Sequence, residues 1–206
     1  MTGEGKKLGQ LLQAEDGGGA QVAEFLDGLA LAETIGAVRS LSGPGLQRLL
    51  WKAVGAGPRV SLADLVPADH PPMRPVVFHG KNSLPAFSEF QKICCRPPAD
   101  RHENALWGYN ETRIRPLIGP GYYIAHDTAD AELGGAAFDY NEVPEGATAD
   151  RPRGWPEPRP NDVGLSRFIY NGMVDYMRRV SRDVFIGSAT KGGREIGSYF
   201  VVAREL

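Results

Sequence analysis

The stretch 168–205 limits what this chain can fold into more than any other. Residues 173–180, 184–190 and 196–204 are rich in β-branched and aromatic side chains, and Ser181-Arg182-Asp183 and Lys191-Gly192-Gly193-Arg194 separate them. Short runs of this composition, joined by polar and Gly-Gly turns, predict an antiparallel meander. In the last run Tyr199, Val201 and Ala203 share one face, and Phe200, Val202 and Arg204 share the other. Both faces are largely apolar, so the strand is expected to be covered on both. A barrel answers this, with a core or ligand inside and a helix or second chain outside.

Further strands are read at 76–82, 106–114, 122–127 and 138–143, and 87–93 is left open between helix and irregular chain. Upstream the pattern is helical. Val22, Phe25, Leu26, Leu29 and Ala32 recur at helix spacing, Leu46, Leu49, Leu50 and Ala53 form a second stripe, and Ser61 is a cap for a turn at 62–65. The expected architecture is mainly β: a small antiparallel barrel over 20–206, helical at 20–66, with a long loop at 144–164 packed by Trp155. Residues 1–19, with a Gly-Gly-Gly tract and few apolar side chains, are expected to be a flexible leader whose removal leaves the melting temperature within about 2 °C.

A net charge of −2 gives no global field to draw the chain to nucleic acid. No apolar run reaches the ~18 residues of a membrane span, and the N-terminus lacks the apolar core of a secretion signal. A cytoplasmic location is expected. Cys94 and Cys95 are adjacent, closer than an ordinary disulfide allows, and are read as reduced, partly buried thiols.

Phe25-Leu-Asp-Gly-Leu29, Thr34-Ile-Gly-Ala-Val38 and Gly43-Pro-Gly-Leu-Gln-Arg-Leu-Leu50 resemble the opening helix and first motif of the family defined by a GXWXG motif followed by a domain of unknown function. Phe78-His-Gly-Lys-Asn82 resembles that family's aromatic-x-Gly-Lys segment. Val174-Asp-Tyr-Met-Arg-Arg-Val180, Phe185-Ile-Gly187 and Tyr199-Phe-Val-Val-Ala-Arg-Glu205 resemble its closing strands. Gly36-Ala-Val-Arg-Ser40 lacks the motif's tryptophan and second glycine. The resemblance implies a calycin-like barrel of the lipocalin or fatty-acid-binding type and carries no activity with it.

No phosphate-binding loop, nucleophile elbow or metal-ligand spacing occurs in the sequence. The candidate ligand-binding residues are Tyr122, Ile124, His126, Tyr140, Tyr176, Tyr199, Arg113 and His79. Tyr122, Ile124 and His126 share one face of a strand, read as the barrel interior, where His126 is placed for acid–base work or haem ligation. Tyr123 and Ala125 are apolar enough to be the core side instead. Arg113 and Arg115 are read on one strand face, able to grip a carboxylate. Of Arg178 and Arg179, one points in, paired with Asp139 or Asp175. The leading expectation is binding of a small hydrophobic molecule inside the barrel. An isomerase or cyclase on the same scaffold and a structural homodimer are the rivals.

Overall fold

Eight antiparallel strands follow one another in chain order round a closed barrel. They are β1 Val76–Asn82, β2 Glu89–Cys95, β3 Ala105–Glu111, β4 Tyr123–Asp127, β5 Ala136–Asp139, β6 Met173–Arg179, β7 Val184–Lys191 and β8 Arg194–Glu205. The computed structural model describes residues 2–14, 18–55, 57, 59–98, 100–102, 104–129, 133–144 and 151–206. β8 closes onto β1, with Phe78 opposite Arg204 and Gly80 opposite Val202. The barrel is small and calycin-like and carries N-terminal helices, as the sequence predicts.

The meander at the C-terminus forms as read. Lys191 faces Arg194 across Gly192-Gly193, and both glycines have positive φ (57° and 75°). That is the backbone of a two-residue turn whose twist matches the strands it joins. The reading of 87–93 as helix or irregular chain is corrected: Glu89–Cys95 is strand, and β2 pairs Phe90 with Gly80 on one side and Lys92 with Asn110 on the other.

Four helices wrap one side of the barrel: α1 Gly3–Gln13, α2 Gly19–Asp27, α3 Leu31–Ser40 and α4 Gly43–Val54. The helical stripe read over 20–39 is divided at Gly28-Leu29-Ala30, where the Glu33 carboxylate accepts the Ala30 N–H at 3.0 Å and starts a new helix. Gly43-Pro44-Gly45, read as a break, is the first turn of α4, where proline costs no hydrogen bond. Tyr199, Val201 and Ala203 pack outward against Leu8, Leu41, Leu50 and Trp51, so this chain's own helices cover the outer face of β8. Buried Gln47 ties α4 to the sheet, donating to the Leu41 and Lys81 carbonyls at 2.8 and 3.1 Å. Of the stretch 1–19, expected to be a flexible leader, residues 1 and 15–17 lie outside the described residues. Residues 3–13 are helix, capped by the Thr2 hydroxyl, with Leu8 and Leu12 buried. No helix among the described residues is long and apolar enough to cross a membrane.

Inside, the barrel is open at one end only. α5 Leu62–Leu65 begins at Ser61, whose N–H and hydroxyl both bond the Asp64 carboxylate, and it seats Leu62, Leu65 and Val66 in the lumen. Arg204 reaches the carbonyls of Asp64 and Leu65 and the carboxylate of Asp183, which seals that end. The inward arginine of the Arg178-Arg179 pair is Arg179, and its partner is Asp64 rather than Asp139 or Asp175. Arg178 lies outside, its guanidinium 3.7 Å from the centre of the Trp51 ring.

Glycines make room for the rings of the lumen. A Cβ on Gly187 would sit 2.0 Å from Cζ of Phe200, and one on Gly108 would sit 2.4 Å from the Tyr123 ring. Gly187→Val is expected to lower stability by about 1–3 kcal/mol through overpacking. Gly197 differs: a Cβ there meets nothing within 4 Å, but φ is +68° at the irregularity where β8 slips against Ser188 and Thr190 of β7. Gly197→Ala should therefore cost about 1–2 kcal/mol from backbone conformation alone. Urea midpoints for both variants check this, and a neutral Gly187→Val would contradict the ring packing described.

Candidate functional site

The open end of the barrel holds a cavity of about 490 Å³. Its walls come from the β1–β2 loop (Leu84, Phe87), from Ile114 and Ile118 at α6 Arg115–Ile118, and from Phe168 and Ile169 on α7 Ser166–Ile169. Ala189, Ile196 and Phe200 of the closing hairpin complete them. Leu84, Phe87, Phe168 and Ile196 are also exposed, so the apolar lining continues out to the rim.

The floor is polar. Lys92 on β2 and Asp175 on β6 lie on strands half a turn apart in a ring of eight, so their bond crosses the lumen. Lys92 Nζ donates to Asp175 Oδ2 at 3.0 Å and to the Tyr140 hydroxyl at 2.5 Å. Tyr140 donates in turn to Asp175 Oδ2 at 3.0 Å, and Asn110 Nδ2 donates to the Tyr140 oxygen at 3.0 Å. Lys92 and Asp175 retain 2% and 6% of their side-chain exposure, yet both border the cavity. The ammonium also sits 4.8–5.0 Å from the centres of the Tyr123, Phe138, Tyr140 and Phe200 rings, an aromatic cage that favours a cation. Tyr170 stacks on Tyr140 at 5.3 Å and fixes its ring.

Burial holds the Lys92 amine below the ordinary lysine value, and the Asp175 carboxylate offsets part of that effect. The Tyr140 hydroxyl is pushed well above the ordinary tyrosine value, first by burial and then by Asp175 beside it. The floor thus brings together an amine that releases its proton more readily than a surface lysine, a carboxylate oxygen 3.0 Å from it, and a hydroxyl that stays protonated.

Of the residues singled out from the sequence, Tyr140 stands on this floor. Tyr199 borders the cavity on β8 while its ring lies 6.1 Å from Trp51 on the helix side. The inward reading of Tyr122, Ile124 and His126 is corrected: Tyr123 and Ala125 fill the lumen, and Tyr122 and Ile124 lie outside under Trp155. Tyr122 donates to the Pro156 carbonyl at 2.6 Å, so the 151–161 segment is a cover on the outer sheet face. Residues 145–150 of the long loop lie outside the described residues. His126 is half-exposed on that outer face, 3.4 Å from Glu142, and cannot ligate a haem in the lumen. His79 also faces out, bonded to Glu205 at 2.6 Å and Gln91 at 3.2 Å. Tyr176 occupies an outward position of β6 between the inward Asp175 and Met177. Arg113 is exposed beyond the end of β3, and Arg115 has left the strand for α6, where it pairs with Glu111 at 2.8 Å.

Cys94 faces the lumen and Cys95 the Trp155 cover, so the adjacent thiols point to opposite sides and both are free. Burial raises both, Cys95 to about 12, which leaves them poor nucleophiles. Among the described residues no cluster of three His, Cys, Asp or Glu side chains is placed to hold a metal ion.

The fold and cavity define a class: an up-and-down, calycin-like barrel closed at one end and hollow at the other. Compared with known proteins, the chain matches no family model, no curated protein and no solved structure.

Proposed function

We propose that this protein binds a small, mostly apolar molecule with one oxygen-bearing end, held head-down in the barrel. The observation that carries this reading is the cavity itself: about 490 Å³, apolar at wall and rim, with Lys92, Tyr140, Asn110 and Asp175 converging at its floor. That volume lies within the range of about 300–1,000 Å³ usual for small-molecule sites. Apolar walls with a few placed polar groups give affinity through burial and orientation through hydrogen bonds. The resemblance to a lipocalin or fatty-acid-binding type of barrel points the same way. An isomerase or cyclase acting in the same space would draw its acid–base groups from Lys92, Tyr140 and Asp175, not from His126.

Anilinonaphthalene sulfonate is expected to gain fluorescence with the protein and to be displaced by 1-decanol. Ala189→Phe adds a ring at the cavity wall and should weaken both by at least about tenfold, with the circular dichroism spectrum unchanged. Undiminished dye and decanol binding to a folded Ala189→Phe variant would place the ligand elsewhere.

A further inference from the structure

The floor of the cavity contains a nucleophile. Binding of an oxygen-bearing molecule uses Lys92 only as a hydrogen-bond donor, and a hydroxyl or amide side chain there would serve without the cost of burying a charge. A primary amine set between a carboxylate and a phenol, at the base of an apolar cavity, has a further capability. We propose that the Lys92 amine condenses with the carbonyl group of an aldehyde or ketone held in the cavity, forming an imine. This rests on the cavity being the ligand site and names the ligand's reactive group.

The geometry supplies each proton the reaction needs. Asp175 Oδ2, 3.0 Å from Nζ, takes one proton from the ammonium and leaves a neutral amine with a free electron pair. That pair attacks the carbonyl carbon. A C–N bond forms as the C=O π pair moves to oxygen, and the proton shed by nitrogen reaches that oxygen through the Tyr140 hydroxyl, 2.5 Å from Nζ. The product is a carbinolamine. The proton held by Asp175 then passes to its hydroxyl, the C–O bond breaks, water leaves and the nitrogen pair closes the C=N bond. Overall one ammonium and one carbonyl give one protonated imine and one water, with Asp175 and Tyr140 restored. No oxidant or reductant takes part. The lowered proton affinity of the buried amine assists the first step. The four rings round Nζ suit the cationic imine as they suit the ammonium.

The surroundings favour Lys92 over the other lysines. Lys191 also borders the cavity, but it is exposed at the end of β7 and donates to the Phe168 carbonyl at 3.4 Å. Lys81 lies half-buried near the end of β1, outside the ring cage. A carbonyl compound sequestered above Lys92 meets one amine at high effective concentration.

The test incubates the wild-type chain with decanal and sodium cyanoborohydride, which reduces a protonated imine to a stable secondary amine. Intact mass and peptide mapping follow. The expected result is one decyl group per chain at Lys92, with labelling there at least about tenfold above Lys81 and Lys191, and suppressed by excess 1-decanol. A Lys92→Met/Asp175→Asn variant, which removes the amine together with its carboxylate, should lose this label while keeping the circular dichroism spectrum of the wild type. If decanol displaces the dye from the wild-type cavity while decanal marks only surface lysines, imine formation is overturned and the binding reading stands. If decanol fails to displace the dye and Lys92 stays unlabelled, both fall.

Discussion

An Asp175→Asn variant is expected to be about 3–5 kcal/mol less stable than wild type near neutral pH, because it leaves the Lys92 ammonium buried without its counter-charge. The loss has a ceiling. The folded chain can shed the proton instead, and from the ordinary lysine value of 10.5 that costs about 5 kcal/mol at pH 7. The pH dependence separates this from a simple packing defect. Lys92 has a folded-state proton affinity below its unfolded value, so the unfolded chain binds more protons in the window between the two. Stability therefore rises with pH across that window and levels off above the unfolded value. In the variant the folded affinity drops further, the window widens downward, and the slope approaches about 1.4 kcal/mol per pH unit. Lys92→Met/Asp175→Leu, which replaces the pair by apolar groups, should recover most of the loss and abolish the slope. Urea unfolding at several pH values reads all three. A loss under about 1 kcal/mol with no slope would mean that water entering from the cavity solvates the ammonium.

How much of this was legible in the chain depended on how many faces of each element are covered. The β7–β8 hairpin was readable because Gly192-Gly193 fixes the turn and the apolar residues extend on both sides of it. The phase of β4 was not readable. Tyr122-Tyr123-Ile124-Ala125 is apolar at every position because the lumen lies on one side and the Trp155 segment on the other. Alternation then carries no register. The same double coverage hid β2, where Phe90, Lys92 and Cys94 face in while Cys95 lies under the outer cover. Lys92 was missed as a site residue for a further reason. A lysine in a strand is ordinarily a sign of solvent, and its partner Asp175 lies 83 residues away across the barrel. The alternation Phe90-x-Lys92-x-Cys94 was the one local hint, and it gains meaning only once the segment is known to be strand. Tyr140 is legible in the sequence as a tyrosine able to line an interior, but its role depends on Asn110 and Asp175, which come from other strands.

Deleting residues 1–14 is expected to lower the melting temperature by about 6–12 °C, where the sequence alone predicted no change. The first helix looks dispensable on composition because its glycines dilute the apolar signal. In the structure one of those glycines sets the packing distance: a Cβ on Gly5 would lie 2.3 Å from the Ser40 hydroxyl of α3. Leu8 and Leu12 project from the same face and are buried with Val22, Val38, Leu41 and Leu50. Two buried leucines contribute about 3–6 kcal/mol. Their removal also uncovers the helices that shield the outer face of β8, while the freed chain regains entropy that offsets part of the loss. The net expectation is about 3 kcal/mol, which for a chain of this size corresponds to the stated shift. Leu8→Ala isolates the packing contribution from the chain entropy and should by itself cost about 2–5 kcal/mol. Differential scanning calorimetry on both variants decides the matter. An unchanged transition in each, with rapid amide exchange over residues 3–13 of the wild type, would return α1 to the status of a loose leader and leave the outer face of β8 covered by α3 and α4 alone.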